Sequence, residues 1–167
     1  MREFNVTGSC VPHMHYMVDI AEKLAQIKKM VDSGKYFTIN RARQYGKTTT
    51  RYLLEERIKN EYLVINISFE GIGDAIFQDE KNFSGEVFNL FADSFSFTDE
   101  ESEKEIRGYG ENIKSLKELS KAVSKFCNNQ PKKVVLIIDE VDKSSNNQLF
   151  ISFLAILRDK WCWILLR

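Results

Sequence analysis

Apolar residues are arranged in two ways along this chain, as short continuous runs and as sets spaced three or four residues apart. The continuous runs predict strands at residues 35–40, 62–68 and 134–138. The last two runs are mostly apolar without alternation, which is typical of strands in the interior of a parallel sheet. The helically spaced sets predict helices at residues 20–33, 47–59, 82–95, 113–126 and 148–158. Because strands and helices alternate, the pattern predicts an α/β fold.

Polar residues and glycines mark the ends of these predicted helices. Asp19 followed by Glu22, and Ser115 followed by Glu118, have the spacing of a capping box, which predicts a helix start at each place. Residues 98–110 are acidic and then glycine-rich. They predict a solvated loop or a helix start that the glycines break.

The segment Gly46-Lys47-Thr48 lies between the first predicted strand and the helix that follows, which is the setting of a phosphate-binding loop. Gly46 leaves room for the backbone to approach a phosphate, and the next amides lie at the positive end of a helix. Lys47 would contact the β- and γ-phosphates, and the Thr48 hydroxyl would bind Mg²⁺. The usual first glycine of this motif is replaced by Arg41. Since a bare G-K-[ST] occurs by chance in roughly one chain of this length in ten, the motif alone is a weak signal.

A second motif follows the predicted strand at residues 134–138, which ends in Asp139-Glu140. An apolar strand that ends in two acids has the form of a Walker B segment. Asp139 would hold Mg²⁺ directly or through water, and Glu140 would orient and polarise the attacking water. The same residues also fit a buried strand that ends in a solvated acidic turn. The two motifs occur in the order that one chemistry needs, so together they favour nucleotide binding.

With both motifs, the chain resembles the AAA-like ATPases of the P-loop superfamily, in particular bacterial proteins with an N-terminal AAA-ATPase-like domain. In those proteins a Tyr-x-x-Asp segment, a helix and a strand lead into a loop of the R-x-R-x-x-G-K-[ST] kind. Here the segment from Tyr16 to Asp19 and the loop from Arg41 to Thr48 match. The arginine in place of the first glycine is therefore a feature of the family pattern. The resemblance covers about residues 10–158.

The resemblance implies ATP and Mg²⁺ as ligands and assigns a role to each residue of the two motifs. The nucleotide would be bound by Arg43, Gln44, Tyr45, Gly46, Lys47, Thr48 and Thr49. The metal ligands would be Thr48 and Asp139, and the catalytic residues would be Glu140 and Lys47. Arg41 and Arg43 either contact phosphate oxygens or pair with nearby acids.

The expected fold is a three-layer P-loop core with a mainly parallel sheet. The first strand is expected to lie centrally, next to the Walker B strand, with the nucleotide at the C-terminal edge of the sheet. Residues 1–167 would form this one domain, with 1–34 as a helical lead-in. The apolar segment 161–167 is either a fourth strand or the stub of a longer protein, and it lacks a polar sensor residue. The core is therefore expected to be incomplete at its C-terminus.

The composition of the chain indicates its cellular compartment and narrows the classes of binding partner. The 24 Lys and Arg residues balance 24 Asp and Glu residues, so the net charge of zero does not indicate nucleic acid or a membrane surface as a partner. Cys10, Cys127 and Cys162 lack metal-ligand spacing and predict free thiols in a reducing, cytoplasmic compartment. The sequence contains no apolar stretch of about 18 residues, so it predicts no membrane-spanning helix. The apolar C-terminal segment favours a protein partner or self-association.

Two functions of different classes are compatible with these residues. The leading hypothesis is an ATPase in which Glu140 activates water for cleavage of the γ-phosphate. The alternative is a nucleotide-binding switch without useful turnover, favoured by the missing sensor residue and the lack of an assignable arginine finger. A kinase for a small substrate is a third option, although it needs no water-polarising acid at Glu140.

Overall fold

The computed structural model describes residues 3–4, 14–16, 18–40, 46–96, 99–139 and 147–158, and the backbone of 162–166. The helices are α1 (Ala21–Asp32), α2 (Lys47–Ile58), α3 (Glu80–Asp93), α4 (Glu100–Gly110), α5 (Leu116–Asn129) and α6 (Gln148–Arg158). The strands are β1 (Phe37–Ile39), β2 (Tyr62–Ser68), β3 (Lys133–Asp139) and β4 (Cys162–Leu166), and a short 3-10 helix spans Asp74–Gln78. Within these ranges, no helix combines the length and the apolar character needed to cross a membrane.

The strands form one parallel sheet in the order β1-β4-β3-β2. This confirms the predicted α/β class and the parallel sheet. The expectation that the first strand lies centrally and beside the Walker B strand is wrong, because β4 lies between β1 and β3 and leaves β1 at an edge. The physical reason is the apolar sequence of β4, since a strand of this composition is best accommodated with partners on both sides.

The two faces of the sheet are covered by different helices. Successive side chains of a strand point to opposite faces. In β3, Leu136 packs in one apolar cluster with α3, α5 and α6, whereas Ile137 packs in another with α1 and α2. All five residues from Val134 to Ile138 are buried, as predicted for this strand. The helix α2, which follows the proposed phosphate loop, therefore lies on the face to which Ile137 points.

The largest difference from the predicted elements concerns residues 98–110. Helix α4 occupies most of this segment, and Gly108 and Gly110 belong to its last turn. Asp99 begins the helix by accepting hydrogen bonds from two backbone amides of the first turn. A Cβ on Gly110 would lie 2.6 Å from the Phe88 Cβ of α3. Gly110 is the last residue of α4, and its lack of a side chain permits close packing of α4 against α3.

The two predicted capping boxes have different outcomes. At α5, Ser115 accepts a hydrogen bond from the Glu118 amide at 3.3 Å, which confirms the predicted helix start. At α1 the N-cap is Ile20, and no side chain caps the helix from that position. Asp19 accepts a hydrogen bond from the first amide of α1 at 2.8 Å. The capping box predicted from Asp19 and Glu22 is therefore wrong, although Asp19 still stabilises the helix start.

Candidate functional site

The N-terminus of α2 presents backbone amides that have no partner within the helix. Gly46 is the N-cap, and its φ of 72° and ψ of 29° place it in the left-handed region that glycine adopts at little cost. No described side chain caps α2 at this position, and the first turn of the helix contains no acid. The positive end of the helix dipole is thus not neutralised by its own first turn, which makes it suitable for an anion.

The first turn of α2 carries four hydroxyl or ammonium side chains in succession. Lys47 and Thr49 are half-buried, and Thr48 is exposed. Thr50 is buried, and both its amide and its hydroxyl donate to the Gly46 carbonyl oxygen at 2.8 Å. The amide bond is the ordinary first hydrogen bond of α2, and the hydroxyl adds a second bond to the same N-cap carbonyl. Sequence reasoning missed this residue, and the only available signal was a threonine four positions after the glycine.

Asp139 lies at the same edge of the sheet as the end of β1. The pairing of β1 with β4, and of β4 with β3, brings Asp139 level with Ile39, the last residue of β1. Ser68, the last residue of β2, pairs with Asp139 in register. Since Asp139 follows Ile137 by two residues, its half-buried side chain points to the face that α2 covers. The strands β1 and β3 are two strand spacings apart, which is about 10 Å.

The N-terminus of α2 lies at this same edge for a topological reason. Helix α2 connects two strands that run in the same direction, so it must return from the C-terminal edge to the N-terminal edge of the sheet. Lys47 and Thr48 therefore begin the helix near the edge at which Asp139 ends β3. The described members of the predicted site, from Gly46 to Thr49 together with Asp139, share one edge and one face of the sheet.

The remaining predicted site residues lie outside the described residues. These are Arg43, Gln44, Tyr45 and Glu140. The same holds for Arg41 and Cys10.

The oxygen donors at this edge suit Mg²⁺ bound together with phosphate. Thr48 offers a hydroxyl and Asp139 a carboxylate, and both are hard oxygen ligands. Mg²⁺ keeps several waters and uses one or two carboxylates together with substrate phosphates. Over the ranges that the structure describes, no three His, Cys, Asp or Glu side chains are grouped as a metal site of their own. The hydroxyl of Thr48 and the carboxylate of Asp139 are oxygen donors of the kind that Mg²⁺ prefers.

A separate cavity of about 400 Å³ lies between α4 and α5. Its lining includes Tyr109, Asn112, Glu118 and Lys121. These helices cover the face of the sheet opposite to α2, since their buried residues belong to the cluster of Leu136. The cavity therefore does not belong to the candidate phosphate site.

Two comparisons with known proteins found no match. No protein-family model matches the chain. No curated protein matches it either. The resemblance to AAA-like ATPases consequently rests on the residues of the two motifs, and it stays a prediction.

Proposed function

We propose that this protein binds ATP with Mg²⁺ on a three-layer P-loop core of the AAA-like type and hydrolyses it in the cytoplasm. One observation supports the proposal above the others. The N-terminus of α2 and the carboxylate of Asp139 come from motifs far apart in the sequence, yet they lie at one edge and on one face of the sheet. A phosphate chain on α2 would place its oxygens toward a metal ion held by Thr48 and Asp139.

Each residue of the site then has a defined task. The amides of the first turn of α2 and the Lys47 ammonium bind the β- and γ-phosphates and offset the charge that develops on them. Thr48 and Asp139 would hold the metal ion, which when bound would neutralise phosphate charge. Glu140, the residue after Asp139, orients a water for in-line attack on the γ-phosphorus and accepts its proton. The new P–O bond forms as the bond to the β–γ bridging oxygen breaks, which yields ADP and phosphate.

A nucleotide-binding switch without turnover is the second candidate, and the position of β4 favours it. This strand lies between β1 and β3, so it adjoins the strands of both motifs. Its residues, Cys162–Leu166, include no Ser, Thr, Asn or Asp that could contact the γ-phosphate. A site without such a contact would bind nucleotide more readily than it would turn it over.

Binding is tested by titrating a fluorescent ATP analogue, with Mg²⁺, into the wild type and Lys47→Ala. We expect Lys47→Ala to weaken binding by about tenfold or more, because it removes the ammonium from a charge-assisted contact. The matched control is Lys117→Ala, which removes an exposed lysine from the first turn of α5. Circular dichroism verifies that each variant is folded. A folded wild type that binds no nucleotide would refute the proposal.

Turnover is tested separately by phosphate release. If the protein is an ATPase, the wild type releases phosphate and Glu140→Gln abolishes the release while nucleotide binding is kept. If it is a switch, the wild type binds nucleotide and releases no phosphate above the level of Glu140→Gln.

A further inference from the structure

A side-chain hydrogen bond joins α2 directly to β2. The amide nitrogen Nδ2 of Asn66 donates to Oε2 of Glu55 at 2.9 Å, and both residues are half-buried. The backbone N–H of Asn66 donates to the Ser94 hydroxyl at 3.0 Å, directly after the end of α3. Asn66 therefore contacts α2 on one side and the end of α3 on the other.

This bond lies behind the proposed nucleotide site. Asn66 pairs in register with Ile137, which is two residues, or about 7 Å, before Asp139 along β3. Glu55 follows Lys47 by eight residues, which is about 12 Å along the axis of α2. The bond thus connects the helix that carries Lys47 to the part of the sheet that supports Asp139.

The bond constrains α2 in a way that its apolar contacts do not. Leu54 and Ile58 of α2 pack in the same cluster as Val64 and Ile137 of the sheet. Apolar packing is not directional, so it tolerates a small rotation or shift of the helix. A hydrogen bond to a carboxylate requires a defined distance and direction. The contact from Asn66 therefore sets the rotation and height of α2 over the sheet.

Stability alone does not explain an asparagine at this position. Asn66 interrupts an otherwise apolar stretch of β2, and its Oδ1 is buried without a hydrogen bond from any residue that the structure describes. A buried acceptor without a partner destabilises a fold and calls for an explanation. A local departure from the apolar pattern is more often found where function requires it.

We propose that Asn66 and Glu55 are positioning residues that set the separation between the N-terminus of α2 and Asp139, and thereby the affinity for nucleotide. This inference rests on the proposed function. A displacement of α2 would move the first-turn amides and Lys47 away from the phosphates, so we expect nucleotide binding to weaken beyond any effect on the fold.

The test is an exchange of the hydrogen-bond roles. Asn66→Asp places two carboxylates against each other, and we expect the Kd for the fluorescent ATP analogue with Mg²⁺ to rise about tenfold or more. The double variant Glu55→Gln/Asn66→Asp restores one donor and one acceptor in exchanged positions. We expect its Kd to return to within about threefold of the wild-type value.

The matched control is Asn89→Asp on α3. The Asn89 amide donates to Oε2 of Glu86 at 3.0 Å, and its Oδ1 accepts from Nη1 of Arg107 at 3.3 Å. This exposed position therefore tests the same substitution beside a glutamate away from α2, with Arg107 also present. We expect no change in Kd for this variant. If Asn66→Asp does not fold, Glu55→Ala removes the acceptor without adding a charge, and the same rise in Kd is expected. Thermal unfolding of every variant separates affinity from stability.

Two results would overturn the inference. One is a lower Tm for Asn66→Asp with an unchanged Kd, which would make the bond purely structural. The other is a double variant that binds as weakly as Asn66→Asp. Failure of the proposed function is distinguishable, because then the wild type binds no nucleotide at all. In that case hydrogen exchange of residues 46–54 still decides the positioning role, since faster exchange in Asn66→Asp supports it and unchanged exchange refutes it.

Discussion

The substitution Gly46→Ala tests the proposed anion site most directly, because it perturbs the backbone conformation of the α2 N-cap. The Gly46 φ of 72° lies in the left-handed region, and a Cβ added there would meet no heavy atom within 4 Å. The cost of Gly46→Ala is therefore conformational and not steric. Holding a residue with a Cβ in this region costs about 1–2 kcal/mol. For a chain of this size about 1 kcal/mol shifts Tm by about 2–4 °C, so we expect Tm to fall by about 2–8 °C.

The control is a glycine with the same open space and an ordinary conformation. Gly73 has a φ of −69° and a ψ of 150°, and a Cβ there would also meet nothing within 4 Å. Gly73→Ala should stabilise the protein by about 0.4–1 kcal/mol, because alanine restricts the unfolded chain. Calorimetry of both variants gives the comparison.

The outcome for Gly46 bears on function as well as on stability. If alanine forces the N-cap out of the left-handed region, the first amides of α2 turn away from the site and nucleotide affinity falls with Tm. If Gly46→Ala were as stable as Gly73→Ala, the left-handed N-cap would be refuted. The argument for amides directed at a phosphate would then lose its geometric basis.

Three further predictions concern the rest of the fold. Gly110→Ala should destabilise the protein by about 1–3 kcal/mol in urea unfolding, because its Cβ would lie 2.6 Å from that of Phe88; wild-type stability would contradict the close crossing of α3 and α4. Ser84→Ala should raise stability by about 1 kcal/mol, because the Ser84 hydroxyl is buried and finds no partner among the described residues; a loss would reveal a partner. A hydrogen bond from Lys28 lowers the pKa of Asp32 in the folded protein. The Asp32 carboxylate therefore stabilises the fold above its pKa in the unfolded chain, which is about 3.9. This stabilisation is lost as the pH falls through the lower pKa of the folded state. Thermal unfolding of Asp32→Asn should therefore show a lower Tm than the wild type at pH 6 and no difference near pH 2, whereas a constant difference would contradict this linkage.

Several elements could be predicted from sequence because their signals are local. The apolar runs of β2 and β3 and the helical spacing of α6 place these elements close to their observed bounds. The positions of Lys47 at a helix start and of Asp139 at a strand end could be read in the same way. That both would lie at one edge followed from a general property of parallel sheets.

Other features could not be predicted because they depend on contacts between distant segments. From sequence, Gly110 is only a helix breaker, and its packing role depends on the close approach of Phe88 from α3. Asn66 is only an irregularity in a strand, and its role depends on the hydrogen bond to Glu55 of α2. Thr50 is only one of three successive threonines, and its hydrogen bond to the Gly46 carbonyl is visible in the structure alone.

The sequence by itself determined most of the helices and strands, with α4 as the main exception, and which two motifs carry the candidate chemistry, since apolar spacing and motif order are properties of neighbouring residues. Only the tertiary structure decided the order of the strands, with β4 between β1 and β3. That order depends on which strands pair, and backbone hydrogen bonding does not distinguish among apolar partners. The apolar sequence of β4 favours a place with partners on both sides, and the strands that flank it come from parts of the chain far from β4.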